Sequence, residues 1–93
     1  MDIKEIISPS IKTESSTKES KHKNIIIFND NVNTFEHIIV SLIDLCGHKS
    51  PQAEQCAYLI HYSGKCAVKR GSYAKLKPVC SALLDRGISA EIQ

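Results

Sequence analysis

The sequence predicts an α/β fold, a two-layer α+β sandwich: a three-stranded, largely antiparallel sheet packed against three helices, in the order β-α-α-β-α-β. Three observations carry this expectation. Short apolar or alternating runs (Ile25-Ile26-Ile27-Phe28, Cys66-Ala67-Val68, Ile88-Ser89-Ala90-Glu91-Ile92) alternate with segments whose apolar residues recur at helical spacing. Gly47, Gly64 and Gly87 fall where those periodic segments stop, as helix-ending glycines do. The Gly47–Ser50 link is short, so the first two helices must form a hairpin.

The first strand is expected over Asn24–Phe28. Helix one follows over Thr34–Cys46, with Phe35, Ile38, Ile39, Leu42, Leu45 and Cys46 on its apolar face. Asn33 is its expected N-cap and Glu36, three residues on, completes a capping box. Helix two spans Pro51–Tyr62, with Ser50 as cap and Pro51 at the first helical position, where the missing N–H costs nothing. Its buried face is Ala53, Cys56, Ala57 and Ile60, with Leu59 alongside. Strand two covers Lys65–Arg70, with Cys66 and Val68 on one face. Pro78 reads as an interruption, giving a loose turn over Tyr73–Lys77 and helix three over Pro78–Arg86. Strand three is Ile88–Ile92, with Ile88, Ala90 and Ile92 on one face.

Composition narrows the function classes. Ninety-three residues suit one small domain. Residues 1–22 are rich in Ser, Thr, Lys and Glu and are expected to form a disordered N-terminal extension, leaving residues 23–93 as the folded domain. A net charge of +2 is weak and gives no support to nucleic-acid binding. No run approaches the ~18 apolar residues of a membrane span. The N-terminus lacks the apolar centre of a signal peptide, so a cytoplasmic protein is expected, with its four cysteines reduced.

Two chemistries can be weighed on the residues. Cys46 lies near His48, and Cys56 near His61, a spacing that zinc could use. Yet every cysteine falls on an apolar face, where it behaves as a small buried hydrophobe. Hydrolase and phosphate-loop motifs are absent, and His61 could pair with Asp30 as a base only without a nucleophile in context. The segment Asn29-Asp30-Asn31-Val32-Asn33 is the polar alternative: a turn and helix cap, or a recognition site at the end of an apolar groove.

Those residues carry a resemblance. Asn29-Asp30-Asn31, then Asn33-Thr34-Phe35-Glu36, then about thirty residues after the first segment Ile60-His61-Tyr62-Ser63-Gly64-Lys65, with matching elements between, are similar to the ClpS family of Clp protease adaptors over about residues 23–92. The family pattern is an apolar strand ending in Asn-Asp-Asp, a helix opened by a Thr-Pro-Met-Glu type segment, and a later Val-His-x-x-Gly-Lys.

The resemblance implies an adaptor and not an enzyme, with no cofactor or metal. Such a protein binds free N-terminal residues with large hydrophobic side chains (N-degrons) and delivers the substrate to a Clp-family AAA+ unfoldase. Neither nucleic acid nor membrane is a partner. Carried over, Asn29, Asp30 and His61 cradle the amino group. Phe35, Ile38, Ala57, Ile60 and Ala90 line the apolar pocket, with Asn31 and Asn33 at its rim; Lys75 and Lys77 are candidates for unfoldase docking. The chain departs from the pattern in several places. Asn31 replaces the second Asp, Asn33 the Thr, Thr34 the Pro, and Phe35 and Ala57 replace pocket methionines. Two alternatives stay open: a ClpS-fold regulator that docks on the unfoldase without reading N-termini, and a small metal- or redox-responsive cysteine protein.

Overall fold

The structure, a computed structural model, describes residues 22–93. The expected extension over residues 1–22 lies outside the described residues except for His22. Six elements follow in the order strand β1 (Lys23–Phe28), helix α1 (Phe35–Cys46), helix α2 (Ser50–Ser63), strand β2 (Lys65–Gly71), helix α3 (Tyr73–Asp85) and strand β3 (Ala90–Ile92). The sheet order is β2-β1-β3, and both pairings are antiparallel.

Period-two alternation sends Ile25 and Ile27 of β1 to the helix side, where both are fully buried. They meet Ile38 and Leu42 of α1, Ala53, Ala57 and Ile60 of α2, Val68 of β2, and Leu76 and Leu83 of α3 in one cluster. Each large aliphatic side chain removed from water there stabilises the fold by roughly 1.5–3 kcal/mol before entropy is counted. The β1–β2 register shifts between Ile25 and Ile26, so Val68 is skipped in the pairing. A bulge leaves its extra residue without a ladder partner. Here the Val68 carbonyl accepts from Nε2–H of buried His48, at 2.6 Å, which ties the α1–α2 link to the sheet edge.

Four local expectations are corrected. Thr34, not Asn33, caps α1: its Oγ1 accepts from the His37 N–H at 3.0 Å, which puts Glu36 at the second helical position and breaks the capping box. Asn33 is drawn away because its amide bonds Asp30 and the Gly87 carbonyl. Ser50 is the first residue of α2, and Lys49 occupies the cap without a side-chain bond. Helix α3 begins at Tyr73, five residues before Pro78, capped by Ser72 Oγ accepting from the Lys75 N–H. Pro78 removes one helical hydrogen bond, but Leu76, Cys80 and Leu83 make one continuous buried face across it, and that packing outweighs local propensity. Strand β3 is shorter than expected, starting at Ala90; Ile88 is buried, but its N–H goes to the Leu83 carbonyl and closes α3.

Removing the α1 cap has a defined cost. Thr34→Ala is expected to lower stability by about 1 kcal/mol, read as a shift of the urea midpoint at unchanged slope.

Candidate functional site

Backbone pairing continues one residue past β1. The Phe28 N–H donates to the Ser89 carbonyl at 2.9 Å, and the Asn29 N–H to the Gly64 carbonyl at 2.8 Å. Gly64 ends α2 in a left-handed conformation (φ 94°), three residues after His61. The same ladder that builds the sheet therefore brings Asn29 and His61, distant in sequence, to one place.

That place is the mouth of an open pocket of about 360 Å³ between the β1–α1 segment, α1 and α2. Ile38, Ala57 and Ile60, all buried, give it an apolar floor. Half-buried Phe35 forms a wall, its ring edge-on to Tyr58 with centroids 5.0 Å apart. Asn29, Asn33, Thr34, His61 and Tyr62 complete the lining. The shape is an apolar slot with amide, hydroxyl and imidazole groups at its lip, suited to a side chain that carries a polar, donor-rich head.

The loop leading into the pocket is organised by Asp30. Its Oδ1 accepts from the backbone N–H groups of Val32 (2.9 Å) and Asn33 (3.0 Å). Its Oδ2 accepts from the Asn33 side-chain amide (2.9 Å) and the Ser89 hydroxyl (3.3 Å). These bonds, the Asn33 and Val32 backbone N–H groups foremost, lower the Asp30 pKa against a smaller opposing effect of burial. The carboxylate is thus held ionised. Asn33 Nδ2 reaches on to the Gly87 carbonyl at 2.9 Å, latching this loop to the turn before β3.

The family model described as ATP-dependent Clp protease adaptor protein ClpS matches residues 18–91. The chain belongs to the ClpS family. Among solved structures, that of Agrobacterium tumefaciens ClpS2 bound to L-phenylalaninamide is similar, with a TM-score of 0.67 and 15% identity over 78% of this chain and 95% of that one. At that identity the likeness speaks for the ClpS fold. No curated protein matches the chain by sequence.

Within this ClpS fold, the structure brings together seven of the residues singled out in the sequence: Asn29, Asn33, Phe35, Ile38, Ala57, Ile60 and His61 all line the pocket. Three others stand apart. Asp30 does not line it, because its oxygens are occupied by the loop. Asn31 is exposed outside it. Ala90 is buried on β3, paired with Ile27, whereas the lining comes from the β1–α1 segment, α1 and α2. Sequence reasoning missed Thr34, Tyr58 and Tyr62 as lining residues. The signal for the tyrosines was available: residues 57 and 61 share a helix face, so 58 and 62 flank them.

The cysteine alternatives find no support in the geometry. Among the described residues no three His, Cys, Asp or Glu side chains group to hold a metal. His48 is committed to Val68. Burial pushes the Cys46 thiol up to about 11, with Lys69 opposing and Cys56 adding. Burial, with a hydrogen bond to Cys56, takes Cys66 to about 12. Cys80 is also raised, chiefly by burial. Thiols so raised stay protonated near neutral pH, and the thiolate is the nucleophile and the ligand. Among the described residues no helix is long and apolar enough to cross a membrane.

Proposed function

We propose that the pocket binds the N-terminal residue of a substrate chain, its large hydrophobic side chain in the slot and its free α-amino group at the lip. The protein is then a non-enzymatic adaptor that presents such substrates to a Clp-family AAA+ unfoldase. One observation supports this reading: in a chain of the ClpS family, an apolar slot opens between the end of β1 and the last turn of α2, with Asn29 and His61 both in its lining. An α-amino group, with an unperturbed pKa of about 7.7–8.0, is mostly a cation near neutral pH and offers three donors. Asn29 Oδ1 and a neutral His61 nitrogen are acceptors for them. The carbonyl end of α2 carries partial negative charge at the same spot, and ionised Asp30 adds a full charge one residue beyond Asn29. A Phe or Leu side chain buried on Ile38, Ala57 and Ile60 contributes roughly 1.5–3 kcal/mol. The ClpS2 of A. tumefaciens was solved with a ligand of this chemistry, an aromatic side chain next to a free amino group.

Fluorescence anisotropy with peptides starting in Phe, Leu, Ala and acetyl-Phe tests the proposal. Phe and Leu starts are expected to bind at least ten-fold more tightly than Ala, from the area term alone. The acetylated peptide loses the cation and leaves acceptors unpaired, so its binding should vanish. Equal affinity for free and acetylated Phe would reject the reading. A second reading, a regulator that docks on the unfoldase without taking N-termini, draws on the engagement of Asp30 by its own loop. Co-purification with the unfoldase without any peptide binding would select it.

A further inference from the structure

A second groove, of about 370 Å³, lies away from the pocket, between α3 and β3. Tyr73, Lys77, Cys80 and Leu84 line it from α3, four positions on one stripe of that helix. Glu91 and Ile92 line it from β3. Cys80 is buried and Ile92 half-buried, but Tyr73 and Leu84 each leave 53% of their surface in solvent. The groove is therefore an apolar trough with a charge on each wall, Lys77 on the helix side and Glu91 on the strand side. Exposed apolar side chains gathered along a groove mark an interaction site, where scattered single ones do not.

The chain itself arrives at one end of this groove. Lys23 pairs with Gly71, two residues before Tyr73. Asn24 exchanges backbone hydrogen bonds of 2.7 Å with Gln93, the neighbour of Ile92. Whatever precedes β1 therefore starts beside Tyr73 and Ile92. The sequence ahead of it holds one cluster of large apolar residues, Ile3, Ile6 and Ile7, at the spacing of a single helix face. That cluster lies outside the described residues. On a helix, Asp2 and Glu5 would flank the apolar face on one side and Lys4 on the other. In one of the two directions along the groove, the acidic flank meets Lys77 and Lys4 meets Glu91. Residues 8–21 join this cluster to the described chain. A flexible connection of that length spans about 20 Å, and the groove follows roughly 16 Å of α3 from Tyr73 to Leu84. Tether and span match, the condition under which effective concentration is highest.

We propose that residues 2–7 dock in the α3–β3 groove of the same chain, as a helical turn that sets Ile3, Ile6 and Ile7 against Tyr73, Leu84 and Ile92. So short a stretch is not stable as an isolated helix; the groove supplies the apolar partner it needs. Docked, the segment covers Lys77, one of the residues offered above for unfoldase docking, so that surface opens only when the segment leaves. This consequence rests on the adaptor reading; the contact itself does not.

The test is NMR spectroscopy of the full chain with labelled isoleucine and leucine methyl groups. In the unaltered protein, residues 3–7 are expected to show order parameters above about 0.6, the limit below which a backbone counts as flexible. Nuclear Overhauser effects should join the methyl groups of Ile3, Ile6 or Ile7 to the Tyr73 ring or the Leu84 methyl groups. The triple change Ile3→Ser, Ile6→Ser, Ile7→Ser should drop the order parameters below about 0.6 and move the amide signals of Lys77, Leu84 and Glu91. Leu84→Glu, at an exposed position of α3, should release the segment in the same way. Flexible residues 3–7 in the unaltered protein overturn the proposal, and so does a segment that stays ordered in Leu84→Glu. A sample mixing labelled and unlabelled chains identifies the occupant. Cross-peaks confined to one chain support the proposal, and cross-peaks between chains make a second copy the occupant and overturn it.

Discussion

Leu42→Ala is expected to cost about 2.7–5 kcal/mol, the span seen when a buried leucine is truncated in a core that relaxes only in part. Leu42 is fully buried in the central cluster. Its own carbonyl also receives the N–H groups of Gly47 and His48, so the helix end and the α1–α2 link hang on this turn. Against the roughly 5–15 kcal/mol that stabilises a typical domain, the loss is a large fraction. Urea denaturation followed by circular dichroism should show a much lower midpoint. Leu42→Met keeps the volume and should cost under about 1.5 kcal/mol. Ile43→Ala, on the neighbouring exposed face of α1, should stay within about 0.5 kcal/mol of the unaltered protein. If Leu42→Ala and Ile43→Ala cost the same, the face of α1 assigned to the core is wrong.

Much of this fold is legible because its signals are local and strong. Ile25 and Ile27 alternate with their neighbours, Ile38 and Leu42 keep helical spacing, and Gly47 and Gly64 both take left-handed conformations at helix ends. The failures share a different cause. Asn33 has the chemistry of a cap, but a residue far along the chain, Gly87, claims its amide, and no local pattern announces such a competitor. Pro78 is a breaker by propensity, yet the buried stripe from Leu76 to Leu83 carries the helix through it. In the pocket, the floor residues were legible from periodicity together with the family pattern. The placement of Ala90 was not, because it depends on which side of β1 the third strand pairs. Nor could sequence tell that the Asp30 carboxylate turns into its own loop, since a capping aspartate and a ligand-facing one look alike in one dimension.

Asp30→Ala is therefore the informative change at the site, and peptide affinity is expected to fall at least ten-fold. Two physical effects are combined in it. The variant strips the acceptors from Val32 N–H, Asn33 N–H, the Asn33 amide and the Ser89 hydroxyl, which loosens the loop that positions Asn29. Leaving such donors without a partner costs on the order of 1–3 kcal/mol, toward the low end here because water reaches the loop. It also removes the nearest negative charge from the ammonium group. Asp30→Asn separates the two: the amide oxygen can still serve Val32 and Asn33, but the charge is gone. If the charge matters, Asp30→Asn keeps most of the stability and loses most of the affinity. If it binds Phe-starting peptides as tightly as the unaltered protein, Asp30 is a loop brace and nothing more. The pH dependence gives an independent reading. The folded-state pKa of Asp30 is lowered by its backbone donors, so its contribution to stability is fully present above the unfolded value of about 3.9 and is lost as pH falls through the lower folded value. Between pH 5 and 8 Asp30 is constant. Affinity should instead weaken as the peptide's own amino group deprotonates above about pH 8. That decline should be shallower in Asp30→Asn, where there is less negative charge for the ammonium form to favour. A decline of equal steepness in both proteins would show that the cation is recognised by dipoles alone, through Asn29, His61 and the end of α2.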